Sequence, residues 1–402
     1  PDPEPGAAAP PAAAGAGRVP RLTARSAAFG VALVLLMAAV PVLGWQGKDR
    51  LLDSKGGQIV EASQDVTEPG YVALVNATQT ALVVHRDAAG TPVSAGILSL
   101  GAGEAGGTVL LVPLGLQPAE GSYFHTIIDG YARTGNDDGF RRSIEDVIGV
   151  SVPPPVIDVT DESLATLVAP VAPLDLTVTD PVVADNGVTY EGPVSLAAEE
   201  MGPYLRATRE GEPEIAHLER IRDVWDAWLT AIGDATATEP IGAAATGMGT
   251  FLRVLAAGEP VVETLDVEEE LDYLQGRSYV PAAGMEEQII DAVPFPVSPR
   301  EGRRFSIRLL NGAEGATLPM PLIRELVLAG GSLAKLGNAG SFGQEDSLIE
   351  YKDDTWRDEA EALQELLGSG VEIDQMSTRR ADAEQEDMVI TIGSDVLSRY
   401  EE

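Results

Sequence analysis

Residues 304–330 read RFSIRLLNGAEGATLPMPLIRELVLAG and decide the fold class of the chain. Residues 304–310 alternate apolar and polar side chains, as a half-buried strand does, and residues 320–330 carry apolar side chains at helical spacing. The same alternation continues to the end of the sequence. Further strands are predicted around Leu333, at 347–351 and at 388–393, with a second helix at 356–368. Strands that alternate with helices predict an α/β fold.

The segment upstream of residue 293 also mixes strands and helices, but with longer β-rich runs. Strands are predicted at 80–86, 93–100, 108–116 and 174–183. Helices are predicted at 139–148, from a Thr160–Asp161 cap to residue 168, and at 214–232, where the apolar spacing is clearest. Residues 293–299, VPFPVSP, are typical of a linker. We therefore predict two α/β domains, at 71–292 with a central mixed sheet and at 303–402, joined by a linker at 293–302.

The apolar run at 27–45, AAFGVALVLLMAAVPVLGW, predicts a single transmembrane helix at 26–46. Nineteen residues at about 1.5 Å each reach roughly 28 Å, close to the thickness of the hydrocarbon core of a bilayer. Arg18, Arg21 and Arg25 precede the run, which places the N-terminus in the cytoplasm by the positive-inside rule. A cleaved signal peptide is the alternative, with small residues at 38–39 near a cleavage point.

This topology divides the rest of the chain. Residues 1–25 are rich in Pro, Ala and Gly and predict a disordered cytoplasmic tail. Residues 47–70 are polar and weakly patterned, and predict a juxtamembrane stalk. We therefore expect a single-pass protein of the cell membrane with the bulk of the chain outside the cytoplasm.

The charge and composition exclude some classes of partner and site. A formal net charge of -36 repels nucleic acid and anionic lipid, so any phosphate must be held locally. The chain has no Cys, hence no disulfide and no thiolate metal site. Its three histidines, His85, His125 and His217, are widely spaced, which favours ordinary loop or surface positions over a metal site.

Two short motifs match enzyme patterns by chance. Residues 101–106 fit GxGxxG, but a strand follows where a dinucleotide site needs the N-terminus of a helix, so a hairpin loop is predicted. Residues 332–335 fit SxxK without the other motifs of acyl-serine enzymes.

A basic cluster stands out in this acidic chain. Arg206, Arg209, Arg220 and Arg222 fall within seventeen residues, between two helical segments. Guanidinium groups bind phosphate oxygens in pairs and stay charged when partly buried, so the cluster is a candidate site for a pyrophosphate or polyprenyl-phosphate head group. The alternative, which spacing alone favours, pairs these arginines with neighbouring carboxylates as solvated ion pairs. Those carboxylates are Glu210, Glu212, Glu214, Glu219 and Asp223.

The last hundred residues resemble the C-terminal domain of LytR-CpsA-Psr (LCP) envelope proteins. The similarity lies in LLNG at 309–312, GNA at 337–339, SLIEY at 347–351 and the closing MVITIGSDV at 388–396. Residues 71–280 resemble a diverged LCP domain, with LDLTVTDPVV as its central strand and YLRATR followed by HLERIRDVW as its arginine-bearing region. The resemblance implies enzymes that move a glycopolymer from a polyprenyl-pyrophosphate carrier to peptidoglycan, often with magnesium.

The chain departs from the family pattern at several positions. Arg206 and Arg220 match family arginines, but Thr208 and His217 replace two others. Where the family has Pro-Arg-Asp, residues 113–115 read Pro-Leu-Gly. Arginine and metal clamps stabilise the charge of the transferring group, so these losses predict an eroded active site.

The leading hypothesis is therefore a non-catalytic scaffold, or an accessory that binds lipid or glycopolymer. Its expected partners are the membrane, a polyprenyl-phosphate lipid, peptidoglycan or an active LCP enzyme. No cofactor is expected, and magnesium only if catalysis survives. The alternatives are a working phosphotransferase with substitute ligands and an unrelated binding or sensor role.

Overall fold

The computed structural model describes residues 65–101, 105–117, 126–235, 248–272, 276–313 and 317–400. The predicted tail, the transmembrane segment and most of the stalk lie outside these residues. Among the described helices, none is both long enough and apolar enough to cross a bilayer. The described residues form one compact unit.

The predicted alternation of strands and helices is confirmed throughout the described residues. The strands are β1 (Val72–Leu74), β2 (Thr80–Arg86), β3 (Pro92–Leu100), β4 (Gly107–Val112), β5 (Ile157–Val159), β6 (Leu174–Val183), β7 (Thr189–Leu196), β8 (Pro260–Thr264), β9 (Val267–Asp272), β10 (Gly276–Pro281), β11 (Phe305–Asn311), β12 (Gly331–Asn338), β13 (Leu348–Tyr351), β14 (Glu372–Gln375) and β15 (Met388–Ile392). The helices are α1 (Ile127–Thr134), α2 (Asp137–Ile148), α3 (Asp161–Val168), α4 (Met201–Arg206), α5 (Glu214–Asp234), α6 (Met248–Ala256), α7 (Met285–Ala292), α8 (Met320–Leu328), α9 (Arg357–Leu367), α10 (Thr378–Ala383) and α11 (Ser394–Leu397).

The first large sheet has five strands in the order β5-β2-β3-β4-β8. β2, β3 and β4 are antiparallel, whereas β5 and β8 pair in parallel with β2 and β4. The sheet is therefore mixed, as predicted. β3 and β4 pair antiparallel on either side of residues 101–106, as a hairpin requires.

Both faces of this sheet are covered, which explains the unbroken apolar run at residues 81–84 of β2. Leu82 and Val84 face one apolar core, which includes Phe140 of α2 and Ile289 of α7. The alternate residues of the strand face a second core, formed by α3 to α6 and the β6–β7 hairpin. A strand buried on both faces needs apolar side chains at consecutive positions rather than at every second one.

Helix α5 is the longest helix of the described residues and covers the second core. Its apolar residues recur every three to four positions, as the sequence predicts. Trp228 is almost fully buried and lies against Trp225 with ring centroids 5.2 Å apart. This helix brings Arg220 and Arg222 to the same part of the fold as Arg206 and Arg209.

The second large sheet has six strands in the order β1-β12-β11-β15-β13-β14. β12, β11 and β15 are parallel, as expected when helices connect the strands, and β13 runs antiparallel to β15. Helices α8 and α9 cover one face with a core that includes Leu326 and Leu363. The described residues from 305 onward thus form an α/β arrangement.

Strand β1 corrects the predicted domain boundary at residue 71. That boundary assigns Val72–Leu74 to the first domain, whereas the structure pairs this strand antiparallel with Lys335–Gly337 of the second sheet. Gly337 makes the approach feasible, because a Cβ at this position would collide with the carbonyl oxygen of Tyr71. The predicted linker at 293–302 is also anchored. The backbone amide of Thr78 donates to the carbonyl oxygen of Phe295 at 3.0 Å, and Phe295 packs against the second domain's core.

Candidate functional site

Arg206 lies at the end of α4 and forms an ion pair with Asp161, the first residue of α3. Gly202 allows this approach, because a Cβ at 202 would collide with the Asp161 carboxyl group. A second carboxylate, that of Asp185 in the β6–β7 turn, lies 3.7 Å from Arg206 Nε. Arg206 therefore meets carboxylates from two distant elements of the chain.

The other oxygen of Asp161 holds a histidine of the central sheet. His85 Nε2 lies 3.0 Å from Asp161 Oδ1. Burial, followed by the charge of Arg206, lowers the pKa of His85 to about 4, so the imidazole is neutral at pH 7. The neutral ring donates its Nε2 proton to Asp161, and its buried Nδ1 makes no hydrogen bond.

Arg209 and Arg220 share one buried carboxylate. Glu212, whose side chain is 1% exposed, pairs with Arg220 and lies 2.9 Å from Arg209 Nη2. Arg220 also donates to the carbonyl oxygen of Ala207 at 2.6 Å, and Arg209 reaches Asp180 at 3.0 Å. Burial alone would raise the pKa of Glu212, but hydrogen bonds from Arg220 and Arg209 outweigh it and lower the pKa to about 2. These ion pairs link the loop between α4 and α5 to the first turns of α5.

Arg222 does not join this cluster. Its guanidinium pairs with Glu219 at 2.5 Å on the same helix and lies 3.6 Å from Asp223. The four arginines therefore meet six carboxylates of the chain. The ion-pair interpretation predicts Glu212, Glu219 and Asp223 as partners from their sequence proximity. Asp161, Asp180 and Asp185 come from other elements and could not be foreseen by spacing.

A small apolar cavity lies between the central sheet and α5, next to His85. Its lining includes His85, Leu111, Leu205, Trp225 and Trp228. The volume is about 30 Å³, whereas pockets for small organic ligands measure roughly 300–1,000 Å³. This cavity beside α5 is therefore too small for a polyprenyl chain.

The family pattern has Arg and Asp in the loop at 113–115. In this chain the backbone of that loop binds the carboxylate of Glu214, the first residue of α5. Glu214 Oε1 accepts from the Leu114 amide at 2.5 Å, and Oε2 accepts from the Gly115 amide at 2.9 Å. Burial raises the pKa of Glu214, while these two amides act in the opposite direction. The ion-pair interpretation of the sequence includes Glu214 among the partners of the arginines and does not predict this contact, for which no local signal exists.

Two of the three histidines are not the loop or surface residues that the sequence predicts. His85 lies in β2 and His217 in α5, and both are buried. His217 Nε2 lies 2.6 Å from the carbonyl oxygen of Leu205. His125 falls outside the described residues. Within the part of the chain that the structure describes, no three His, Asp or Glu side chains are grouped to hold a metal ion.

The SxxK match is not a catalytic pair. Ser332 and Lys335 both lie in β12, and Lys335 Nζ forms an ion pair with Glu386 at 2.9 Å. A charged, paired ammonium group cannot act as the base that activates a serine.

Comparison with known proteins gives matches only among solved structures. No family model and no curated protein matches the chain. The LytR-Csp2A-Psr enzyme from Actinomyces oris is 14% identical over 60% of this chain and 98% of its own, with a TM-score of 0.43. TagT of B. subtilis is 15% identical over 60% of this chain and 98% of its own, with a TM-score of 0.42. TagV of B. subtilis is 13% identical over 52% of this chain and 94% of its own, with a TM-score of 0.43.

One of these matches is a LytR-Csp2A-Psr enzyme. The identities and TM-scores are low, and the likeness therefore carries no weight for activity.

Proposed function

We propose that the chain is an extracytoplasmic envelope protein with an LCP-like domain that does not catalyse phosphotransfer and acts as a scaffold. The observation that carries this proposal is the pairing of Arg206 with Asp161 and of Arg220 with Glu212. A pyrophosphate would have to displace carboxylates that these arginines already bind. With six carboxylates around four arginines, the local charge also opposes a polyanion.

The loop at 113–115 supports the same proposal. Leu114 and Gly115 provide neither a guanidinium for the transferring phosphate nor a carboxylate for a metal ion. Enzymes that transfer phosphoryl groups depend on such groups to stabilise charge in the transition state, and loss of one donor typically costs about 100- to 1,000-fold in rate. Loss of several would leave little turnover.

The cavity favours a scaffold over a lipid carrier. A polyprenyl chain gains roughly 0.8 kcal/mol for each CH₂ that it buries, but only if the protein offers the space. The cavity beside α5, with about 30 Å³, does not offer it. The partners that we propose are an active LCP enzyme and peptidoglycan. A polyprenyl phosphate that co-purifies with the chain would instead favour a lipid-binding accessory.

The assay for phosphotransfer tests the proposal directly. Purified full chain with a polyprenyl-pyrophosphate substrate and magnesium should show no hydrolysis above background, while an active family enzyme assayed in parallel does. The opposite result would be turnover that is lost in Arg206→Ala but kept in the control Arg357→Ala, a substitution at an exposed site. That result would show that the chain is a working phosphotransferase.

We also propose that residues 27–45 stay in the membrane as an anchor. The full chain should then remain in the membrane pellet after carbonate washing. Protease added to intact spheroplasts should digest residues beyond about 50, since these lie outside the cytoplasm. A soluble mature chain that begins near residue 40 would support the cleaved signal peptide instead.

A further inference from the structure

A cleft, here called the junction cleft, lies between the end of α2, the start of α7 and the segment that leads into β11. Its volume is about 390 Å³, within the range of roughly 300–1,000 Å³ that is usual for pockets of small organic ligands. The buried part of its lining is apolar and includes Val147, Ile148, Met285 and Ile289. The junction cleft therefore suits a ligand with an apolar body.

Two consecutive arginines, Arg303 and Arg304, line the junction cleft, and neither has a carboxylate partner. Among the described residues, no Asp or Glu oxygen lies within 4.0 Å of either guanidinium group. By contrast, Arg300 of the same segment pairs with Asp146 at 3.0 Å. The chain has 63 acidic and 27 basic residues, so carboxylates are plentiful, and yet these two cations are left free to bind an anion.

Arg304 is held in place by backbone carbonyls and keeps two donors for a ligand. It is 8% exposed. Its Nε donates to the carbonyl oxygen of Gly331 at 3.2 Å, and its Nη2 donates to the carbonyl oxygens of Val327 and Gly331. These bonds cap the end of α8. Nη1 makes no hydrogen bond with the described residues, so both of its N–H groups remain available.

Arg303 lies beside the end of α2 and is exposed. A Cβ at Gly149 would lie 3.3 Å from Arg303 Nη2, and the Arg303 side chain makes no hydrogen bond or ion pair with the described residues. Burial lowers the pKa of Arg304 to about 10, the charge of Glu286 acts in the opposite direction, and the charge of Arg303 lowers it further. Both arginines are charged at pH 7 and repel each other, and a bound anion would relieve this repulsion.

The charges that line the junction cleft favour a ligand with one negative charge. Arg303 and Arg304 face a single carboxylate in its lining, that of Glu286, so one positive charge is left over. A dianion would leave an excess of negative charge, which the net charge of -36 opposes. A larger groove of about 760 Å³ also includes Arg304, but its three cationic side chains are matched by three carboxylates.

We infer that the junction cleft binds a small organic monocarboxylate, with the carboxylate held by Arg303 and Arg304 Nη1 and the apolar body held against Val147, Met285 and Ile289. A short aliphatic acid and the C-terminus of a peptide that ends in a small apolar residue both present this chemistry. Guanidinium groups bind carboxylates through paired, charge-assisted hydrogen bonds. The site uses no arginine of the cluster between α4 and α5, and it does not depend on the absence of phosphotransfer.

Methyl NMR of the full chain, titrated with sodium butanoate, locates the ligand. The chain has seven methionines, of which Met285 lines the junction cleft and Met248 lines the cavity beside α5. Butanoate should shift the Met285 methyl signal, assigned from its loss in Met285→Leu, and should leave the Met248 signal in place. Butanamide has nearly the same shape without the charge, and it should shift neither signal at the same concentrations.

Arg303→Ala tests the role of the free cation. This substitution should weaken butanoate binding at least about tenfold, because it removes a charge-assisted hydrogen bond. The fold should be retained, since the Arg303 side chain makes no hydrogen bond within the described residues, and circular dichroism checks this. Arg142→Ala is the matched control. It removes the same charge from an exposed position of α2 outside the junction cleft, and it should leave the affinity unchanged.

Three results would overturn the inference. The first is equal affinity for butanoate in Arg303→Ala and Arg142→Ala, and the second is an unmoved Met285 signal. The third is tighter binding of butanamide or of butyl phosphate than of butanoate. Tighter binding of N-acetyl-alanyl-alanine than of butanoate supports a peptide C-terminus, and the reverse order supports a short aliphatic acid. A cleft that binds none of these probes would leave the scaffold proposal standing, because that proposal is tested by turnover.

Discussion

Trp228→Ala should lower the free energy of unfolding by about 4 kcal/mol. Trp228 is 1% exposed, stacks obliquely on Trp225 and lines the closed cavity next to the central sheet. Truncation removes the apolar contacts of the indole and leaves a void that a close-packed core fills only in part. Urea denaturation of the full chain, followed by tryptophan fluorescence and circular dichroism, measures the loss.

The control for this substitution is Trp228→Phe, which keeps a ring in the same place. Its loss should be smaller, about 1–2 kcal/mol, because the indole nitrogen that it removes has no hydrogen-bond partner in the structure. A loss below about 1 kcal/mol in Trp228→Ala would mean that the site is open rather than packed. That result would also support the hypothesis that a lipid binds in the space beside α5.

Glu212→Gln should cost about 3 kcal/mol of stability at pH 7, since it leaves Arg209 and Arg220 without their shared carboxylate. The pH dependence has a definite sign. The folded-state pKa of about 2 lies below the ordinary value of 4.5, so the carboxylate stabilises the fold above pH 4.5. This contribution is lost as the pH falls from 4.5 to 2.

The difference in stability between the unmodified chain and Glu212→Gln should therefore shrink over that acidic range and be constant above it. Equilibrium denaturation at several pH values measures it. The exposed neighbour Glu210→Gln is the matched control and should change stability by no more than about 0.5 kcal/mol at any pH. If Glu212→Gln changed the stability as little as Glu210→Gln does, that result would contradict the buried ion cluster.

Much of the fold is predictable because each element is encoded locally. The apolar spacing at 214–232 predicts α5 to within two residues, and the cap at Thr160 correctly predicts the start of α3. The runs at 80–86 and 174–183 coincide with β2 and β6. In each of these cases the burial pattern repeats within a few residues, which a single sequence can show.

The arrangement of the site is not predictable in the same way. The arginine cluster is visible in the sequence, but Asp161 lies 45 residues before Arg206, and only the packing of α3 against α4 brings them together. The sequence does not show that the amides of Leu114 and Gly115 bind a carboxylate, because every residue except proline has a backbone amide. Glu214 lies 100 residues after Leu114. Site chemistry here depends on long-range contacts that spacing does not encode.

We expect strand β1 to form late in folding, because its partner strand is distant in the sequence. Val72–Leu74 is synthesised early, yet its partner residues at 335–337 follow about 260 residues later. Closing a loop of that length costs roughly 5 kcal/mol of chain entropy, which the other strands of the second sheet must offset before β1 can dock. The segment nearest the predicted anchor is therefore fixed only after the last domain has formed, and a chain truncated before β12 would leave this segment without its partner strand.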